Sequence, residues 1–138
     1  MLTRHMLGVE EAQRAIDAAI KEAEKDKQPM SIAVTDSYGE LIACYRMDDS
    51  PPRVLRHSMR KAYTSGLMHR GTLEFKAQFK ERDSSLDEWG DQRLTTLQGG
   101  MPVRHKGEVV GAVGVGGNSV ARDSEICRIA IAAMGLEE

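Results

Sequence analysis

Two pairs of short apolar segments, each pair joined by a turn, most narrowly limit the folds that this chain can adopt. Residues 30–35 are apolar and partly β-branched, and the turn sequence Asp-Ser-Tyr-Gly at 36–39 leads into a second apolar segment at 40–47. A similar pair surrounds the Lys-Gly dipeptide at 106–107, with a valine-rich second strand at 108–115. Asp and Gly favour such turns, so both pairs predict β-hairpins. The first hairpin has apolar residues on both faces, which predicts that both faces are covered.

Helical patterns surround the two hairpins. Apolar residues recur every three or four positions over residues 9–25, and Pro51 and Pro52 open a second pattern of this kind. Residues 72–97 are more polar and predict two short helices, and residues 120–134 predict the last helix. The order is helix, hairpin, helices, hairpin, helix, without βαβ alternation. This order predicts an α+β fold in which helices pack on an antiparallel sheet.

Charge and length exclude several classes of protein. The chain has 138 residues and a net charge of −2, so no overall positive field would attract nucleic acid. The chain has no run of 18 apolar residues, so no membrane-spanning helix is predicted. Its first seven residues lack the apolar stretch of a signal peptide. We therefore expect a single domain over residues 1–138, located in the cytoplasm, that contacts neither nucleic acid nor membrane.

The two cysteines lie within apolar patterns rather than in a spaced framework. Cys44 falls in the first hairpin and Cys127 in the last helical pattern. Free cysteines are among the most buried residues, and a reducing compartment keeps them free. We expect both thiols to be buried and unpaired.

Four stretches, in a fixed order, resemble the GlcG/HbpS-like family. They are residues 32–41, 45–48, 58–64 and the glycine-rich segments 99–103 and 111–117. The resemblance covers nearly the whole chain and implies a profilin-like fold, with a five-stranded antiparallel sheet packed between helices. Some relatives bind haem, and a similar domain ends the PduO-type proteins of cobalamin metabolism. The resemblance therefore implies haem or a corrinoid as the candidate cofactor.

The glycine pairs are candidates for a ligand site. Gly99 and Gly100 lie beside one strand, and Gly116 and Gly117 lead through Asn118 into the last helix. Free N–H groups at a helix start bind carboxylates and phosphates, so this pattern predicts a small anionic ligand. The alternative is structural: the glycines permit sharp turns, and a polar residue caps the helix.

Lys61 differs from the other basic residues of the second helix. It lies beside the apolar stripe, where it would pair with Asp36 or with an acidic ligand, and we add it to the ligand site. The neighbouring basic residues, which we expect to be mostly solvated, are Arg53, Arg56 and Arg60. The catalytic candidates are Lys61, Asp36 and Arg46, provided that they converge in one pocket.

No metal site is predicted. The four histidines are His5, His57, His69 and His105, and none belongs to a haem-attachment motif or to a closely spaced histidine pair. Haem binding therefore depends on the resemblance, and the sequence identifies no axial ligand.

The sequence supports three functions. The leading one is a small-molecule or tetrapyrrole-binding protein, associated through the resemblance with small-metabolite catabolism. The alternatives are an enzyme acting on a small oxygenated or aromatic metabolite, and a structural or assembly module. We also expect a homo-oligomer with an even number of subunits, because an open sheet has two edges that need protection.

Overall fold

The computed structural model describes residues 1–138. Its helices are α1 (Val9–Glu24), α2 (Pro52–Met68), α3 (Thr72–Arg82) and α4 (Val120–Ala133), with a 3-10 turn at Leu86–Trp89. Its strands are β1 (Ser31–Asp36), β2 (Leu41–Arg46), β3 (Gly100–His105) and β4 (Glu108–Gly116). The two predicted hairpins and all of the predicted helices are present. No helix is long and apolar enough to cross a membrane.

The four strands form one antiparallel sheet in the order β2-β1-β4-β3. The α+β class is therefore confirmed, but the expected fifth strand is absent. Near the C-terminus Glu137 pairs with Arg104 as an isolated bridge instead of extending the sheet. The register places Ser31 opposite Gly116 and Gly100 opposite Gly114, so both glycine-rich segments lie at the same end of the sheet.

The two faces of the sheet pack in different ways. Helices α1 and α4 cover one face with an apolar core that includes Ile16, Val113 and Ile131. Helix α2 covers the other face and approaches β4 so closely that a Cβ at Gly114 would overlap the carbonyl oxygen of Ser58. Close contact between backbones, rather than bulky side chains, therefore holds α2 on the sheet.

Strand β2 lies at an edge and is not covered on both sides. Leu41 is 46% exposed and Tyr45 is 45% exposed. Cys44 is also exposed, whereas Cys127 is buried, and both thiols are free. The expectation that both cysteines are buried is therefore wrong for Cys44. The thiol is exposed because β2 lies at the edge of the sheet, and the apolar pattern of the strand does not reveal that position.

Candidate functional site

Lys61 extends from α2 to the glycine-rich end of the sheet. Its Nζ donates a hydrogen bond of 2.8 Å to the carbonyl oxygen of Val115 and lies 3.8 Å from Oδ2 of Asp123. The Lys61 side chain is only 7% exposed. Asp123 belongs to α4, on the opposite face from α2. The ion pair therefore connects the two helical layers around the end of the sheet.

The glycines provide the space that Lys61 occupies. A Cβ at Gly99 would lie 3.0 Å from Nζ of Lys61, and a Cβ at Gly116 would lie 3.5 Å from it. Gly99 also has a φ of 113°, in the region that favours glycine. The structure thus brings together Gly99, Gly116 and Lys61, three residues of the predicted ligand site, and their binding of a ligand stays a prediction. The protein's own ammonium group fills the space between them.

Asp123 is the partner that the sequence analysis missed. Its Oδ1 accepts a 3.0 Å hydrogen bond from the backbone N–H of Asn118, and Ser119 caps α4 by accepting from the N–H of Arg122 at 3.2 Å. An acid of the chain itself therefore lies at the helix start where we expected a ligand acid. The signal was present in the sequence, because Asp123 falls on the apolar stripe that continues through Ile126 and Cys127.

Burial shifts the pKa of each ionisable group in this cluster. It raises the pKa of Asp123 to about 6, although the charge of Lys61 and the Asn118 N–H act in the opposite direction. It lowers the pKa of Lys61, against the opposing effects of Asp123 and Cys127. It also raises the pKa of Cys127 to about 12, and the thiol donates to the carbonyl oxygen of Gly99 at 3.1 Å. Cys127 therefore stays protonated at neutral pH and is a poor nucleophile.

An open cleft, here called the glycine cleft, lies beside Gly99 and Gly100. Its volume is about 390 Å³. Three arginines line it, namely Arg70, Arg104 and Arg128, together with Glu74 and Glu138. Arg128 already contacts Glu138, with 3.3 Å between Nε and Oε1. The cleft combines cationic side chains with the buried glycine turn at its base, and the cationic side chains suit an anionic ligand.

The remaining residues of the predicted site lie elsewhere. Asp36 pairs with Gly111, at the other end of β1, and its Oδ1 accepts from the N–H groups of Tyr38 and Glu40 at 2.8 and 3.0 Å. Its role is to hold the β1–β2 turn, so the partner of Lys61 is Asp123 and not Asp36.

Arg46 and the second glycine pair are also separate from the glycine cleft. Arg46 donates to the carbonyl oxygen of Ser50 at 3.2 Å, beside the edge strand β2. Gly117 and Asn118 line a different depression of about 340 Å³, together with Arg53. The three catalytic candidates therefore do not converge in one pocket.

Comparison with known proteins identifies relatives over nearly the whole chain. The family model described as haem degrading protein HbpS-like matches residues 7–132. Protein GlcG of Escherichia coli (strain K12) is 36% identical over 115 residues, which are 83% of this chain and 84% of GlcG. The matched range of the family model includes the four strands and both members of the Lys61–Asp123 pair.

Solved structures have the same fold. A double mutant of HbpS from Streptomyces reticuli superposes with a TM-score of 0.85 at 29% identity, covering 96% of this chain and 89% of HbpS. The PduOC:heme complex superposes with a TM-score of 0.85 at 24% identity, covering 95% of this chain and 96% of PduOC. At this identity the PduOC comparison shows the fold alone. From the family model and the GlcG identity, we conclude that this chain belongs to the GlcG/HbpS-like family.

Proposed function

We propose that this chain is a small-molecule-binding protein that holds a tetrapyrrole, or another small anion, in the glycine cleft. The observation that supports this most is the set of three arginines around the Gly99–Gly100 turn. The family description refers to haem, and a protein of the same fold was solved as a complex with heme. A role in small-metabolite catabolism is part of the same proposal.

The residues of the glycine cleft fit the acid groups of a tetrapyrrole better than its metal. Haem iron takes a histidine, thiolate, thioether or phenolate ligand. No histidine lines this cleft, and its one methionine, Met101, is only 8% exposed. Cys127 lies behind the turn as a protonated thiol. This donor set does not fit iron coordination, so we assign no role to a bound metal.

Each group at the cleft then has a simple role. The arginines bind carboxylates through charge-assisted hydrogen bonds. Lys61 does not contact the ligand, because its side chain is only 7% exposed and does not line the cleft. Together with Asp123 it holds the Val115 carbonyl and the start of α4 in place, and the N–H of Val115 donates to Gly99 at 2.9 Å. The buried pair therefore fixes the turn on which the ligand rests.

Titration with haem and with iron-free protoporphyrin tests this function. We expect both to bind at micromolar concentration and with similar affinity, as measured by changes in their absorbance spectra. The double variant Arg70→Gln with Arg128→Gln is expected to bind haem and protoporphyrin at least about tenfold more weakly. Each lost pairing with a carboxylate costs on the order of 1.5 kcal/mol. Arg53→Gln, outside the cleft, is the control and is expected to leave both affinities unchanged.

Two outcomes would contradict the proposal. If neither compound changes its spectrum in the presence of the protein, tetrapyrrole binding is wrong. If haem binds and protoporphyrin does not, the iron is coordinated and the role given to the arginines is wrong.

We also propose that the chain forms a homo-oligomer with an even number of subunits. The edge of β2 has no partner strand and carries the exposed aromatic side chain of Tyr45, which a second copy would cover. Light scattering coupled to size exclusion is expected to give an even multiple of the 15.2 kDa chain mass. A mass of one chain at every concentration would show this proposal to be wrong.

A further inference from the structure

A second cleft, here called the arginine cleft, lies between α2 and the β1–β2 turn. Its volume is about 330 Å³. The lining residues that matter here are Arg56, Arg60 and Arg93, with Leu41, Met59 and Tyr63 as the less polar part. Gly39 and Leu41 place it beside the β1–β2 turn, whereas the glycine cleft runs along β3 at the opposite edge of the sheet, and the two clefts share no lining residue. The two clefts are therefore separate sites.

Two of the three arginines have no acidic partner. Arg93 is 3.3 Å from Glu40, and its guanidinium lies 3.7 Å from the centre of the Tyr63 ring. Arg56 and Arg60 are exposed on α2, and neither forms an ion pair with any carboxylate. They are four positions apart, where like charges on a helix destabilise it. An anion between them would relieve this repulsion and gain two charge-assisted hydrogen bonds.

The rest of the cleft offers a fixed, partly apolar surface. The phenolic O–H of Tyr63 donates to Asp91 at 2.5 Å, and Arg93 covers one face of the ring, so the ring cannot turn freely. Met59 is half-buried and Leu41 is largely exposed beside it. Glu40 adds a negative charge at the rim, which disfavours a ligand with a second acid group on that side.

We propose that the arginine cleft binds a small aromatic carboxylate, with its acid between Arg56 and Arg60 and its ring against Met59 and Leu41. The planar carboxylate matches the fork of the guanidinium groups, and the ring matches the apolar surface. The volume lies near the lower limit of about 300 Å³ for ligand pockets, which suits a ligand of one or two fused rings. This ligand site goes beyond the function proposed above and uses different residues.

Calorimetric titration with 2-naphthoate, and with its neutral analogue 2-naphthamide, tests the proposal on the full chain. We expect the wild type to bind the acid at least about tenfold more tightly than the amide, since only the acid pairs with the arginines. Arg56→Gln and Arg60→Gln are each expected to weaken naphthoate binding about tenfold, and Arg56→Lys should weaken it less because the charge remains. Arg53→Gln, on the same helix but outside the arginine cleft, is the matched control and should leave the affinity unchanged.

Three results would overturn this inference. They are no heat of binding with millimolar naphthoate, equal binding of acid and amide, and an effect of Arg53→Gln as large as that of Arg56→Gln. The variant positions are exposed, so circular dichroism should show an unchanged fold for every variant.

Discussion

Replacing Lys61 with methionine is expected to lower the free energy of unfolding by about 3–5 kcal/mol near neutral pH. The substitution keeps an unbranched side chain of similar reach but removes the positive charge 3.8 Å from Asp123. Asp123 must then either stay ionised without a cation or take up a proton that it does not bind in the unfolded chain at this pH, and both destabilise the folded state. The carbonyl oxygen of Val115 also loses its 2.8 Å hydrogen bond from Nζ. Urea unfolding followed by circular dichroism measures the change.

The double variant Lys61→Met with Asp123→Leu separates loss of the pair from loss of one partner. Removing both charges leaves no unpaired buried ion, so we expect the double variant to regain more than half of the lost stability. Lys76→Met, at an exposed position on α3, is the control and should change stability by less than about 0.5 kcal/mol. If the double variant is as unstable as Lys61→Met, the loss does not come from an uncompensated charge on Asp123.

Gly114→Ala is expected to destabilise the chain by about 3 kcal/mol or to prevent folding. The added Cβ would overlap the carbonyl oxygen of Ser58, and it would lie 2.6 Å from the backbone nitrogen of Ala62. Neither atom is the end of a flexible side chain, so the whole of α2 would have to move away from β4. Thermal unfolding of the purified variant measures the loss.

Gly90→Ala is the matched control for this glycine. Gly90 has a φ of 64°, but a Cβ there would meet nothing within 4 Å. Its replacement costs only backbone strain, about 1 kcal/mol. Equal costs at the two positions would mean that α2 is not in contact with β4 as described.

The sequence was sufficient for the helices and hairpins, but not for the arrangement of the sheet. Apolar periodicity and turn residues are local signals, and they predicted each hairpin correctly. The order of strands depends on contacts between distant segments, so the edge position of β2 and the exposure of Cys44 could not be read from the pattern. The family resemblance implied five strands, but the sheet has four. Beyond them, Glu137 forms only an isolated bridge with Arg104.

Only some residues of the candidate site lie together in the fold. Lys61 contacts Gly99 and Gly116, whereas Asp36 and Arg46 lie apart from them. Its partner Asp123 was missed because an acid in the first turn of a helix is usually explained by the helix dipole. The arginine cleft was missed because Arg56 and Arg60 alone indicate a solvated helix face. Only the fold shows that Arg93 and the β1–β2 turn close a pocket around them.

Lys61 and Asp123 form a buried pair that fills the glycine-lined end of the sheet. Asp123 has a raised pKa in the folded chain, so the stability that it contributes is full below about pH 4 and is lost as the pH rises through about 6. Replacing Lys61 with methionine should raise this pKa further, because the ammonium group favours the ionised acid.

The most direct test follows the carboxyl carbon of Asp123 by NMR as the pH is raised. We expect a titration midpoint at about pH 6, compared with the ordinary value of 3.8, and a higher midpoint in the Lys61→Met variant. A midpoint at or below 3.8, unchanged when Lys61 is replaced, would contradict this expectation, because the acid would then be solvated and independent of Lys61.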